Sequence, residues 1–275
     1  MPTALMLSIC PVAPATVAQH LGRAAHAALL QAVAATDAPL AERLHGQTGV
    51  KSFAVSDLLG VAAGRNGRRV VPDQSYGLRW VGVSAELDVV LRGWAAAPPA
   101  TLTLDGTVFT VTGATLDRAV QPWAGQAEWN DLLALEQVGR VPPHHLAVEF
   151  WSPTTFRSNG RNIVLPLPEL VFGSLLERWN AASPVAMPTE LRRWAGEALL
   201  LGRYDLQARW LPMFGAGETA FTGKVSYTVT QHERYYVHCC QALLRWGFFC
   251  GVGAKTSMGL GMVSLIPDEA PPPGD

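Results

Sequence analysis

Residues 3–10, TALMLSIC, form an apolar run that Pro11 ends, the pattern of a strand buried on both faces. After Pro14 the stretch from Ala15 to Ala35 holds good helix formers and no proline, so a helix follows the strand. Asp37 and Pro39 restart a short helix, PLAERL, that stops at His45 and Gly46, and KSFAVSDL then reads as a strand. A basic turn, RNGRR at 65–69, leads into the strand YGLRWVGV at 76–83. Ser84 is placed to cap the helix AELDVVLRGWA, and TLTL and TVFTVTGATL close this half as strands about the Asp105-Gly106 turn.

Between Gln121 and His145 the pattern supports one helix, EWNDLLALEQV, and then the extended linker VPPHH. A new strand, HLAVEFW at 145–151, is followed by the loop SPTTFRSNGRN, the run IVLPLP and helical segments at 169–181 and 189–200. Strands RYDLQARWL and TGKVSYTVT, a helix from about Glu233 to Phe248 and a last strand GMVSLI complete the chain. Both halves therefore read βαββαβ. That order predicts an α+β protein of two tandem ferredoxin-like (RRM-like) domains, residues 1–136 and 137–266, with an unstructured tail at 267–275.

Composition agrees: 49% hydrophobic against 16% charged excludes a disordered chain, and 26 Gly and 20 Pro exclude a plain helical bundle. The charge balance, 21 basic against 22 acidic, shows no global polycation, so any nucleic-acid surface must be local. Cys10, Cys239, Cys240 and Cys250 lack CxxC spacing and secreted-scaffold density, which argues against a zinc site and a disulfide framework and for a reducing cytoplasm. Residues 1–22 carry no Lys, Arg, Asp or Glu but have no basic n-region, so they read as a buried strand and not a signal peptide. No segment reaches the roughly 18 uninterrupted apolar residues of a membrane span.

The sharpest local signal is GVGAKTSMGLG at 251–261, four glycines in eleven residues between a helix and the closing strand. It fails as a Walker A loop, which would need glycine at Phe249 and Ala254, and as GxGxxG, because Thr256 stands at the third glycine. What remains is a backbone able to offer N–H groups to a phosphate chain, with Lys255 and Ser257 beside it; a turn used only for tight packing is the ordinary alternative.

GVGAKTSMGLGMV resembles the C-terminal glycine-rich signature of the RAMP superfamily of CRISPR proteins, and in particular the pre-crRNA-processing endoribonucleases of the Cas6 family. EFWSPTTFRSNGRNIVLPLPELVFGSLLERWN at 149–180 is similar to that family's segment with a Pro-Thr-x-Phe turn, a Leu-Pro-x-Pro step and an Arg-Trp-Asn helix end. FTGKVSYTV at 221–229 is similar to its penultimate strand, and PLAERLHGQTGVKSF to its Leu-His pair six residues before a lysine.

The resemblance implies cleavage of CRISPR repeat RNA, without a metal or other cofactor, by attack of a 2′-hydroxyl on its own 3′-phosphate. It assigns His45 and Lys51 to catalysis, with His26 on the first long helix as second candidate. His45 ends a short helix, where imidazolium is favoured, and Lys51 can set its ammonium near the same phosphate. A histidine at a helix end is otherwise a capping or surface residue, and His26 a packed core residue. No tyrosine occupies the first helix, which leaves the leaving-group acid open, with His20 a possible substitute. His144, His145, His232 and His238 match no motif position. RNA binding is assigned to Gly251, Gly253, Lys255, Ser257, Gly259, Gly261, Arg157, Arg161 and Lys224, with the 65–69 turn adding Arg65, Arg68 and Arg69; the alternative for each arginine is a solvated surface. The implied partners are precursor and mature CRISPR RNA and, further, a CRISPR effector complex; neither DNA nor a membrane is expected. Two alternatives stay open: a non-cleaving RAMP subunit that only binds crRNA, and an unrelated ferredoxin-like enzyme or regulator of a small ligand.

Overall fold

The structure, a computed structural model, describes residues 1–62, 64, 67–134, 141–213 and 216–266. Its first half runs β1 (Thr3–Pro11), β2 (Ala15–Val17), α1 (Gly22–Ala34), α2 (Ala38–Gly46), β3 (Phe53–Val55), β4 (Arg68–Val70), β5 (Tyr76–Gly82), α3 (Ala85–Ala96), β6 (Thr101–Leu104), β7 (Thr107–Thr115), β8 (Gly125–Gln126) and α4 (Trp129–Leu133). The second runs β9 (His145–Thr154), β10 (Phe156–Ser158), β11 (Arg161–Ile163), α5 (Pro168–Ala182), α6 (Leu191–Ala198), β12 (Leu199–Met213), β13 (Ala216–Val229), α7 (Arg234–Cys250) and β14 (Val263–Ile266).

The main sheets have strand orders β3-β5-β1-β7-β6 and β12-β13-β9-β14. Counting only the strands of each βαββαβ unit, both read 2-3-1-4, the antiparallel order of the ferredoxin-like fold. β1 is apolar at nearly every position because both faces are covered. Leu5, Leu7 and Ile9 join Ala25, Leu29, Leu87 and Leu91 in one core, while Ala4 belongs to the second core with Phe248 and Phe249 of α7. Leu146, Val148 and Phe150 of β9 pack in that second core with α5 and α7. Trp129 of α4 joins it too, with its ring centroid 5.4 Å from Trp179 and 5.2 Å from Trp246. A long β12–β13 hairpin, paired from Leu199↔Val229 to Met213↔Ala216, forms one edge of the second sheet.

Several local expectations need correction. The first helix begins at Gly22, not Ala15, because Ala15–Val17 pairs with Arg68–Val70 as a small separate sheet. The RNGRR turn becomes strand β4 at Arg68, and Arg65 lies outside the described residues, as do part of the 128–138 helix and the tail at 267–275. The run IVLPLP is a strand only through Ile163, and Pro168 starts α5, a position where the missing N–H costs nothing. β12 starts at Leu199, one residue after α6 ends.

Candidate active site

α2 forms because Asp37 accepts a hydrogen bond from the Leu40 amide at 2.9 Å and Leu40, Ala41 and Leu44 bury one stripe. His45 sits exposed on its last turn. Lys51, two residues before β3, folds back so that its ammonium donates to the His45 carbonyl at 3.0 Å and to the Gln47 carbonyl. It thereby satisfies carbonyls that the helix end leaves unpaired and places a cation at the negative end of the helix dipole. An ammonium has three donors, so one remains for another partner.

His26 approaches from α1. Its Nδ1 lies 2.8 Å from the Ser257 carbonyl of the glycine-rich loop, and its ring packs 5.1 Å from Phe53. A carbonyl oxygen only accepts, so the proton sits on Nδ1 and Nε2 keeps its lone pair. Burial lowers the pKa of His26; the Ser257 bond opposes this, and the charges of Lys51 and His45 lower it further. The net shift is downward from 6.5. The ring is therefore neutral near pH 7, beside the Lys51 ammonium.

The glycine-rich loop is built for close packing. A Cβ on Gly253 would stand 2.4 Å from the Thr155 carbonyl oxygen, and one on Gly261 would stand 2.1 Å from that of Val252. Both residues also have positive φ, which glycine adopts without strain. Amides expected to face phosphate are engaged inside the protein: Gly251 donates to Gly247, Gly253 to the Ser174 hydroxyl and Gly261 to Pro153. Gly259 and Ser257 are buried, the former against Asp57 and Gly22. Lys255 forms an ion pair with the buried carboxylate of Glu218.

Two adjoining hollows lie between the halves. One, of about 380 Å³, is lined by Lys51, Ser52 and Phe53 of the first half and Trp129, Arg178 and Trp246 beyond it. The other, of about 300 Å³, brings Val50 to Arg157, Arg178, Arg192 and Lys255. Arg178 lines both, donating to the Gly253 carbonyl at 2.7 Å and the Ser174 hydroxyl at 2.9 Å. Thus the structure unites Lys51, Arg157 and Lys255 along one basic cleft. Arg178 and Arg192 complete it although sequence reasoning did not assign them; Arg178 is the arginine of the Arg-Trp-Asn stretch.

Other expectations fare differently. Lys224 stands on the open face of the second sheet, paired with Glu149 at 3.8 Å in a shallow hollow with Asp205 and Arg209, apart from the cleft. Arg161 is exposed on β11, and Arg69 is exposed on β4. Arg68 is buried against Asp57 at 2.8 Å, so its guanidinium is not free for phosphate. His20 is equally committed, between Asp57 and the Met258 carbonyl, and so is no free acid. Among the described residues no group of three or more His, Cys, Asp or Glu is placed to hold a metal, and no helix is long and apolar enough to cross a membrane.

Two ferredoxin-like domains meeting at a basic cleft, with a glycine-rich loop before the last strand, define a tandem ferredoxin-like protein with a cation-lined seam. The comparisons name the family within that class. The profile of the CRISPR Cas6 N-terminal domain matches residues 1–78, and that of the CRISPR-associated endoribonuclease Cas6 matches residues 148–263. The chain belongs to the Cas6 family. The CRISPR-associated endoribonuclease Cas6 of Mycobacterium tuberculosis is 29% identical over 152 residues, 54% of this chain and 48% of that protein. The protein of the same name from Streptococcus thermophilus is 25% identical over 123 residues, 44% and 50% of the two chains. The match thus spans about half the length of these curated relatives. Among solved structures, a Thermus thermophilus Cas6 superposes with a TM-score of 0.73 at 23% identity over 97% of this chain and 98% of that one. A Cas6 product complex gives 0.79 at 24% identity over 97% and 99%, and a Cas6 substrate-mimic complex gives 0.71 at 25% identity over 96% and 99%.

Proposed function

We propose that this protein is a metal-independent endoribonuclease that cuts CRISPR repeat RNA within precursor transcripts, once per repeat. The 2′-oxygen attacks the adjacent phosphorus and the bond to the 5′-oxygen breaks, leaving a 2′,3′-cyclic phosphate and a 5′-hydroxyl. The proton of the 2′-hydroxyl goes to a base, and the departing oxygen takes one from an acid. The observation that carries this reading is the His26–Ser257 bond, which leaves Nε2 of a neutral imidazole as the acceptor beside the Lys51 ammonium. His26 is the base and His45, at the end of α2, the acid. Lys51 directs its remaining N–H at charge developing on the phosphoryl oxygens. Arg157, Arg178 and Arg192 line the track that holds the RNA backbone, the main grip on an A-form stem, with Lys255 at its edge held by the Glu218 carboxylate. The glycine-rich loop contributes through its carbonyls, which orient the first domain, more than through its amides.

The test is a labelled repeat RNA in EDTA, carrying one 2′-deoxy substitution at a time. Cutting that survives EDTA and fails at a single deoxy position supports the mechanism. Dependence on a divalent ion, or cutting indifferent to every deoxy position, overturns it, and tight binding without cutting by the wild type would favour a crRNA-binding subunit.

A further inference from the structure

We propose that His20, clamped between Asp57 and the Met258 carbonyl, is a positioning residue for RNA cleavage: it holds the glycine-rich loop so that the neighbouring Ser257 carbonyl fixes the ring of His26. This rests on the role proposed above for His26.

The His20 side chain is 3% exposed, with Nδ1 3.2 Å from Asp57 Oδ2 and Nε2 2.9 Å from the Met258 carbonyl oxygen. A carboxylate and a carbonyl both only accept, so both ring nitrogens carry protons and the group is an imidazolium. Asp57 is itself immobilised. Its oxygens accept from Arg68 at 2.8 and 3.0 Å and from the amides of Leu21 and Leu58 at 2.8 and 2.7 Å. The Leu21 bond seats the carboxylate at the N-terminus of α1, where the helix dipole favours an anion. Arg68 is tied in turn to the Ala18 carbonyl at 3.2 Å.

On the other side the fit has no slack. A Cβ on Gly22 would stand 1.8 Å from the Met258 oxygen, and one on Gly259 would stand 3.1 Å from His20 Cε1 and 2.9 Å from the Asp57 amide nitrogen. Successive carbonyls of the loop, those of Ser257 and Met258, are thus each held by a histidine of the first domain. Displacing one displaces the other, because consecutive peptide planes share one Cα.

The clamp titrates. Burial lowers the pKa of His20, but the bond to Asp57, its charge and the Met258 carbonyl outweigh burial and the opposing Arg68 charge, so the value is raised above 6.5. Asp57 and Arg68 are the charged groups facing the ring. A raised histidine contributes its interaction fully below its ordinary pKa and loses it as pH rises through the raised value. The proton that remains then faces the carboxylate, the Nε2 lone pair meets the Met258 oxygen, and the loop is pushed away.

The test pairs histidine-selective ¹⁵N NMR of the RNA-free chain with single-turnover cleavage of a labelled repeat RNA, for wild type, His20→Leu and His20→Gln. The Gln amide can still donate to the Met258 carbonyl but carries no charge. Expected are a doubly protonated His20 at pH 7, and a His26 that is protonated on Nδ1 in wild type and His20→Gln and tautomerically mixed in His20→Leu. Cleavage by His20→Leu should fall about tenfold or more with unchanged Kd for uncut RNA, the scale of a small misplacement of a catalytic group, and His20→Gln should recover most of it. If His20→Leu does not fold, Asp57→Asn replaces it, and the alkaline decline of cleavage should move to lower pH. A neutral wild-type His20 at pH 7, or an unchanged His26 tautomer in His20→Leu, overturns the proposal. If wild type cuts no repeat RNA, the nuclease reading fails, and the NMR result distinguishes that from failure of the clamp.

Discussion

His26 and Ser257 are joined by a 2.8 Å hydrogen bond across 231 residues of sequence. The bond ties the first helix of one domain to the glycine-rich loop of the other and sets which imidazole nitrogen stays basic. It links domain packing directly to chemistry.

Removing the proposed base should act on rate and not on binding. His26→Ala is expected to lower single-turnover cleavage by about 10²–10⁴-fold, the usual scale for a general acid or base, with RNA affinity nearly unchanged. His45→Ala should do the same through the leaving group. Undiminished cutting by either variant, measured on labelled repeat RNA, removes that residue from the mechanism.

The pH dependence has a predicted sign. The pKa of His26 is lowered, chiefly by burial, so cleavage by the neutral form should rise with pH through a midpoint below 6.5. Lys51 contributes to that lowering, so Lys51→Met should move the midpoint upward while reducing the plateau. A midpoint that stays in place would separate Lys51 from His26.

Lys51 also closes α2, so its loss has a second consequence. Removing its hydrogen bonds to the His45 and Gln47 carbonyls should cost about 1 kcal/mol, reduced from the usual range for charged hydrogen bonds by solvent exposure. Denaturant unfolding of Lys51→Met checks this, and an unchanged midpoint and slope would show that the cap contributes nothing.

Gly22 tests the seam between the domains. An alanine there drives its Cβ into the Met258 carbonyl oxygen, 1.8 Å away and part of the backbone. The loop or the helix must shift, at a cost of about 1–3 kcal/mol, and cleavage should fall along with the melting temperature. Gly93→Ala, which meets nothing within 4 Å, is the matching control and should be neutral or better.

Arg178 should read out as a backbone contact and loop support. Arg178→Ala is expected to weaken RNA binding uniformly across sequences and reduce the slope of log K against log salt by about 1. An unchanged slope would place Arg178 in the loop scaffold alone.

Much of this protein is written in local patterns. The period-two and period-3.6 runs give both βαββαβ units, and Asp37, Pro39 and Ser84 mark helix starts that the structure keeps. The glycines at 251–261 announce a close approach, and the spacing from His45 to Lys51 delivers both to one helix end, because a short turn returns the lysine to it. Local pattern misled where a partner lay far away in sequence. Ala15–Val17 is a strand only because Arg68–Val70 pairs with it, and Arg68 reads as a surface cation until Asp57 is placed against it. What tertiary structure alone decided is the chemistry of the histidines. Imidazole has two nitrogens of similar basicity, and its pKa depends on what faces each. His20 is held between a carboxylate and a carbonyl, whereas His26 meets one carbonyl, an aromatic ring and the Lys51 charge, which together with burial set its pKa low. Those neighbours come from the opposite end of the chain or from packing, and no periodicity encodes them.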